Sequence, residues 1–449
     1  MARVLILAHP ETGHLRPLLS LGHEIRESGH EVVVASVADA EPMVRRSGLD
    51  FACLFEEIFP PGTLARFLRG TSAAERRWQS QRMNTFMRSL CDGALRVKLR
   101  ALGPQLCLVD ALFFYLSLSS LAEGIATAIV HTSVPPDDTR GLPPTNTTLI
   151  PVPGWQYRCR RQLAVTGNWL AYAYRRYILQ PRGLQVPLVL RVRELARASG
   201  YPLHAIAANR HPFHMLTAVP EVVLCPPELE FPEALTPSRC YIGPYVHEDE
   251  DDSGFPWGDI EEGRPMIYCA LGSQSTLYGR RGLALVDAVL RLGGRRRDLQ
   301  VVVAAGACYD HVIGTRPAGT IVVRHAPQLA LLRRASVFIT HGGLGSVKEA
   351  LLHAVPMVVC PMVNDQPGNA ARVSYHGLGV VVSPRDLSSH RIEQLIDIVL
   401  HDARYRAAMD RMRSAIEARR ASHTCADILS DMIHRSGVAS RVVEAGHPA

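Results

Sequence analysis

Between His325 and Ala370 the chain reads HAPQLALLRRASVFITHGGLGSVKEALLHAVPMVVCPMVNDQPGNA, and this stretch restricts the fold more than any other. Ala335–Thr340 is apolar, β-branched and bounded by turn residues, which predicts a short buried strand. The glycine-rich turn His341-Gly342-Gly343-Leu344-Gly345 follows. Then Val347, Ala350, Leu351 and Ala354 recur at i, i+3, i+4 and i+7, the spacing of one helix face. Pro356 ends that helix, and Met357–Pro361 reads as a second strand. A strand, loop, helix and strand in this order make a unit of a parallel α/β sheet.

Such a unit has a built-in place for an anion. The first N–H groups of its helix lack internal partners and carry the positive end of the dipole. Glycines let an anionic ligand approach them, and Ser346 adds a hydroxyl. His341 stands at the strand's carboxyl end, placed to donate to a phosphate oxygen. Glu349 follows Ser346 by three residues, on the same side of the first turns, where a carboxylate accepts from ribose hydroxyls. The loop after the next strand presents Asn364-Asp365-Gln366 at the rim where ligands of open parallel sheets bind. A phosphate cradle beside acceptor-rich side chains describes a nucleotide sugar.

The runs HAPQ, HGGLGSVKEAL and P-x-x-x-DQPGNA resemble the donor-binding signature of the UDP-glycosyltransferase superfamily, of glycosyltransferase family 1 type. The signature covers roughly a tenth of the chain. The resemblance implies the GT-B fold: two Rossmann-like doubly wound parallel-sheet domains facing across a cleft. It also implies that His341 and Ser346, with Gly342, Gly343 and Gly345, hold the pyrophosphate and Glu349 the ribose. Asp365 and Gln366 would take the sugar hydroxyls, and His325, Ala326 and Gln328 would receive the base. The chain departs from plant members at two places, with His325 where they commonly carry tryptophan and Gly345 where they carry asparagine.

At 449 residues the chain has room for two domains with separate cores. Its net charge of +7, from 49 basic and 42 acidic residues, is modest for that length and gives no nucleic-acid footprint. The ten cysteines form no C-x-x-C pair, which suits reduced thiols in a cytoplasmic protein. Met1-Ala2-Arg3 leads straight into VLILA, too short for a signal-peptide core, and no apolar run reaches membrane-spanning length.

Taken in order, Arg3–Ala8 is a strand, His9–Arg16 a loop, and a helix runs through Leu18, Leu21 and Ile25 to Gly29. Glu31–Ser36 closes a right-handed βαβ opening. The loop lacks G-x-G-x-x-G, which argues against a dinucleotide cofactor, and holds Thr12-Gly13-His14 instead. Gln105–Asp110 and Ala126–His131 are further strands. From about 135 to 232, prolines, aromatics and arginines mix, and the segment reads as loops and helices lining a pocket for a bulky apolar molecule. HEDEDD at 247–252 reads as a solvated linker. Its D-x-D spelling, Asp249 and Asp251, matches a manganese-binding pair, but no strand leads into it. These features divide the chain into an acceptor domain over 1–240, a linker over 241–262, a donor domain over 263–420, and a tail over 421–449 that packs back on the first domain. Strands are expected at Pro265–Leu271, Leu299–Ala305, Thr320–Arg324 and Gly379–Val382, with helices at Arg280–Leu292 and from Ser388 to Arg419.

Transfer of a sugar to a hydroxyl needs a base for the acceptor proton and donors for the departing diphosphate. Preorganised donors, among them Ser273, Ser346 and His341, can meet the second need without a metal or other cofactor. For the first, His14 lies at the rim of the opposite domain with a pKa suited to neutrality. Asp110 ends a strand of the same sheet and is placed to orient that imidazole, or alternatively to cap the following helix. Gly13, His14 and Pro17 in G-H-x-x-P, and Asp110 with Ala111, also resemble the family's base and partner. The expectation is an inverting O-glycosyltransferase of bacterial natural-product, macrolide type. It would use UDP-glucose, or a thymidine-linked (TDP) sugar, on a lipophilic acceptor, as a monomer or homodimer. Two variants stay open: a carotenoid or lipid transferase whose Trp155–Arg197 segment rests on a bilayer, and a nucleotide-sugar epimerase of the same architecture. A non-enzymatic nucleotide-sugar binder would lack the histidine that this chain has at position 14.

Overall fold

The computed structural model describes residues 1–69, 72–135, 141–174, 188–206, 216, 219–236, 239–246 and 254–422. Its strands form two sheets. The first holds β1 (Arg3–Leu7), β2 (Glu31–Ser36), β3 (Asp50–Cys53), β4 (Leu106–Asp110), β5 (Ala126–His131), β6 (Glu221–Val223) and β7 (Arg239–Tyr241), in spatial order β3-β2-β1-β4-β5-β6-β7. The second holds β8 (Met266–Ala270), β9 (Gln300–Ala304), β10 (Thr320–Val323), β11 (Ala335–Thr340), β12 (Met357–Val359) and β13 (Gly379–Val381), in order β10-β9-β8-β11-β12-β13. Every strand pair is parallel. The chain has two Rossmann-like α/β sheets, as the sequence predicts.

Parallel strands need crossovers, and the apolar side chains show where these pack. On β1, Val4 and Ile6 face a core shared with Leu15, Leu18 and Ile25 of α1 (Thr12–Glu27). Leu5 and Leu7 point the other way. They meet residues of α2 (Thr63–Arg69), α3 (Ala73–Cys91) and α4 (Ala94–Leu102). The second sheet alternates likewise. Ile267 and Cys269 of β8 pack with α7 (Gly279–Arg295) and α10 (Ser389–His401), while Met266 and Tyr268 pack with α8 (Leu344–Leu352) and α11 (Ala403–Ser422). Between them in the chain lie α5 (Trp155–Tyr174), α6 (Leu188–Ala198) and α9 (Gln366–Tyr375).

In each sheet the strand order reverses once, between β1 and β4 and between β8 and β11. Crevices at the carboxyl ends of such strands are where open α/β sheets bind ligands.

The structure corrects the sequence reading in several places. Helix α1 begins at Thr12, so His14 lies in its first turn and not in a loop. Pro17 is the sixth residue of that helix, past the N–H groups that lack internal partners, so it leaves the Gly13 carbonyl without its helical donor. The segment from 135 to 232, expected to be loops and helices, also supplies β6, with β7 just beyond it at the sheet edge. These three-residue strands are too short for their alternation to stand out. Arg419, near the end of α11, donates to Glu228 at 2.9 Å and to the Gly243 carbonyl. Residues 423–449 lie outside the described residues, as do Asp249 and Asp251 of the expected linker. The nine described cysteines are all free thiols. Among the described residues no helix is long and apolar enough to cross a membrane.

Candidate active site

Strands β1, β4 and β5 are neighbours, so the residues that follow them meet at one rim. His14 comes from the helix after β1, Asp110 from the last position of β4, and Thr132 from just past β5. His14 Nδ1 lies 3.1 Å from Asp110 Oδ2 and 2.7 Å from the Thr132 hydroxyl. The other Asp110 oxygen accepts from the Leu112 N–H at 2.8 Å. Asp110 therefore does both things the sequence left open: one oxygen caps the turn and the other holds the imidazole.

Asp110 is fully buried. Burial alone would raise its pKa, but the charge and hydrogen bond of His14, with His9 and the Leu112 N–H, hold it below the ordinary value. An ionised carboxylate only accepts, so Nδ1 of His14 carries the proton. Burial alone would lower the His14 pKa. Asp110, joined by Glu11 and by Asp365 of the other domain, outweighs it and the net direction is up. Among the described residues nothing is hydrogen bonded to Nε2, which is left as the acceptor nitrogen.

An apolar cavity of about 340 Å³ adjoins this pair through His9; neither His14 nor Asp110 lines it. Its wall runs from His9 and Glu11 through Leu54, Phe55 and Phe59 to Phe67, Phe86 and Phe113. These residues follow β1 and β3 or sit on α2, α3 and the turn after β4. This wall is made earlier in the chain than the one expected in 135–232, part of which lies outside the described residues. The 37–104 stretch carries no motif, which is why the sequence did not reveal it. The His9 ring stands 5.3 Å from His14 and 4.9 Å from Phe113, centroid to centroid. Burial, reinforced by His14, lowers its pKa to about 4.

Across the cleft, α8 starts at Leu344 with Gly343 in the N-cap position. Gly342 has φ +80°, and a Cβ there would meet Val359 Cγ1 at 2.7 Å. Cβ atoms on Gly272 or Gly343 would each meet the His341 ring at 2.4 Å. The imidazole is thereby clamped between two glycines, with its Nδ1 buried. Burial, partly opposed by a hydrogen bond with the Ala270 backbone, lowers its pKa to about 4. His341 is neutral at pH 7 and so brings no charge to the helix start.

Gln328 donates to the Ser346 hydroxyl at 3.2 Å and to the Glu349 carboxylate, and accepts from the Tyr268 hydroxyl at 3.2 Å. Three residues expected at base, pyrophosphate and ribose thus form one bonded cluster, in which Gln328, ahead of β11, reaches Ser346 and Glu349 on α8. His325 and Ser273 are exposed nearby, Ala326 is half-buried, Gly345 is open on the helix start, and Gly13 is open on the first turn of α1.

Asp365 and Gln366 separate in role. Asp365 accepts from Asn369 Nδ2 at 3.1 Å, and burial raises its pKa. Gln366 is buried, with its oxygen accepting from the Met362 and Val363 N–H groups and its NH₂ donating to the Tyr278 hydroxyl. That amide folds the turn ahead of α9. Asn364, at φ +56°, donates to Gln274 Oε1 at 3.2 Å, and Gln274 Nε2 donates to Glu11 Oε2 at 3.1 Å, which closes a chain across the cleft. Lys348 of α8 is buried and donates to the Leu224 carbonyl at 3.0 Å, with burial lowering its pKa to about 8.

Sequence reasoning placed Asn364 at the rim but missed Thr132, Glu11 and Gln274. Thr132 had a signal, since it is the first residue past a strand beside β4. The other two depend on how the domains meet.

Residues 313–420 match the family model described as UDP-glucoronosyl and UDP-glucosyl transferase. The 4'-demethylrebeccamycin synthase of Lentzea aerocolonigenes is 27% identical over 455 residues, covering 96% of this chain and 100% of that protein. The zeaxanthin glucosyltransferase of Pantoea ananas is 25% identical over 452 residues, covering 96% of each. Among solved structures, the glycotransferase of kitacinnamycin superposes with a TM-score of 0.68 at 20% identity, over 97% of this chain and 98% of that one. The glycosyltransferase VinC, solved in complex with DTDP, gives a TM-score of 0.63 at 19% identity, over 97% and 99%.

Proposed function

Because the chain belongs to the UDP-glycosyltransferase superfamily and is a glycosyltransferase, we propose that it moves a hexose from UDP-glucose to a hydroxyl of a lipophilic small molecule, inverting the anomeric carbon and using no metal. The observation that carries this reading is the His14–Asp110 pair, which adjoins, through the His9 ring, an apolar cavity.

In the proposed step the acceptor hydroxyl lies in the cavity mouth and gives its proton to His14 Nε2 as its oxygen attacks C1. The bond from C1 to the diphosphate oxygen breaks, and the electron pair leaves with the nucleotide diphosphate. Attack from the face opposite the leaving group inverts the centre. The imidazolium is stabilised by the Asp110 carboxylate, which stays ionised. The departing charge is met by the free N–H groups at the start of α8 and by Ser346. Asp365 is the side chain proposed for the sugar hydroxyls, and the Gln328–Glu349 cluster for base and ribose.

The names of the relatives support an acceptor of this kind, one in natural-product biosynthesis and one acting on a carotenoid. The test is a panel of UDP- and TDP-sugars offered with a phenolic acceptor and read by mass spectrometry. A hexose added from UDP-glucose is the expected result. Isomerised donor with no change in acceptor mass would replace the reading with an epimerase. The His14→Ala variant is expected to retain UDP binding while transfer falls about 10³-fold; full activity would remove His14 as the base.

A further inference from the structure

Helix α5 bonds to the preceding loop through polar side chains: Tyr157 donates to the Gly141 carbonyl at 2.6 Å and Arg161 to the Leu142 carbonyl at 2.7 Å. Asn168 exchanges two bonds with Asn146, at 2.8 and 3.2 Å. Its largest apolar side chains face out, among the exposed Gln156, Gln162 and Thr166. Trp155, Cys159, Leu163, Leu170 and Tyr174 recur at spacings of four, four, seven and four, which places them on one stripe. That stripe lies in solvent: Trp155 is 68% exposed, Leu163 73%, Leu170 56% and Tyr174 56%, with Trp169 at 62% along its edge. A surface helix of a globular domain ordinarily shows the reverse arrangement.

The charges on the helix are of one sign. Trp155–Tyr174 contains Arg158, Arg160 and Arg161 and no acidic residue. Arg158 and Arg160 flank the apolar stripe on either side, both exposed, and among the described residues neither has an acidic partner. Indole and phenol rings beside an aliphatic stripe, bordered by unpaired guanidinium groups, match the boundary between acyl chains and anionic headgroups. The helix falls outside the class that crosses a membrane, so it would lie flat.

We propose that this face of α5 docks the protein reversibly on an anionic lipid surface. Leu163, Leu170 and the two tryptophans enter the headgroup–acyl boundary, and Arg158 and Arg160 contact lipid phosphates. The inference rests on the orientation and charge of the helix, not on the donor or acceptor assignment. One structural link gives it a bearing on the site. The loop that holds the inner face of α5 also accepts, through the Thr145 carbonyl, the Gly368 N–H of α9 at 2.7 Å. A Cβ on Gly368 would meet that carbonyl oxygen at 2.6 Å.

The experiment sediments the full chain with vesicles of equimolar phosphatidylglycerol and phosphatidylcholine, and with phosphatidylcholine alone. Binding is expected only to the anionic vesicles, weakening as salt rises. The double variant Leu163→Glu, Leu170→Glu changes two exposed side chains and should fold as the parent, checked by its melting temperature. Its bound fraction should fall about tenfold, with transfer to a water-soluble phenolic acceptor unchanged. Arg158→Gln with Arg160→Gln should weaken binding and flatten the salt dependence. No binding by the parent, or equal binding by the Glu variant, would overturn the proposal. So would a parent that ignores vesicles and sediments as a dimer which the Glu variant dissociates, since the stripe would then join two copies of the chain.

Discussion

Asp110→Asn is the substitution that most directly weighs the proposed base. The amide is nearly isosteric, and its oxygen can still cap the Leu112 N–H, so the turn after β4 should persist. What is lost is a negative charge 3.1 Å from Nδ1. At an effective dielectric of about 20, that charge attracts an imidazolium by about 5 kcal/mol. The Thr132 hydroxyl and the amide dipole replace part of this, leaving a deficit of roughly 3 kcal/mol in the transition state, or about a hundredfold in rate. An asparagine NH₂ turned towards Nδ1 would also favour the tautomer with the proton on Nε2, which cannot accept, and deepen the loss. The assay is initial-rate release of UDP across pH, with UDP affinity measured by calorimetry. Transfer requires the neutral imidazole, so activity fails as pH falls through the His14 pKa. Asp110 contributes to holding that pKa up; its removal should move the acidic limb to lower pH while kcat drops at least about a hundredfold. A variant within fivefold of the parent, or a limb moved to higher pH, would refute the role assigned to Asp110.

Three further outcomes follow from the geometry. Gly342→Ala places a Cβ against Val359 at a positive φ, and should cost about 2 kcal/mol in urea unfolding together with weaker UDP binding. Glu230→Gln leaves the Arg372 guanidinium, which donates to Glu230 Oε1 from Nε at 2.8 Å, buried beside a neutral amide; a loss of about 3 kcal/mol is expected by the same measurement. His341 has a folded pKa of about 4, below the ordinary 6.5. Below about pH 6.5 the unfolded chain takes up a proton that the native ring refuses. The stability this ring contributes is therefore complete above about pH 6.5 and declines by up to about 1.4 kcal/mol per pH unit towards pH 4. His341→Asn should remove that slope from the unfolding profile.

The sequence disclosed the parts of this fold that repeat a simple pattern. Val337, Ile339 and their neighbours form an apolar run long enough to read as β11, and Ala126–His131 did so for β5. The three-residue β6 and β7 did not, because nothing alternates within so short a span. The donor side was largely legible because one continuous stretch builds it, with glycines placed where a Cβ would strike His341 or Val359. Gln366 shows the limit of that legibility: its position in the motif was plain, but not that its amide folds the turn behind it. The acceptor side was legible only at His14 and Asp110. Phe55, Phe59, Phe67 and Phe86 come together from separate elements, and no spacing announces that they share a cavity.

Arg419 fixes the far end of α11 to Glu228 and the Gly243 carbonyl, while the body of that helix packs against α8. The lobes are thus joined by the polypeptide that leads from β7 to β8, by this returning strut, and by the Lys348–Leu224, Arg372–Glu230 and Gly368–Thr145 contacts between them. A seam stitched at so many points sets one rim against the other, and it gives His14 a fixed address opposite Asp365.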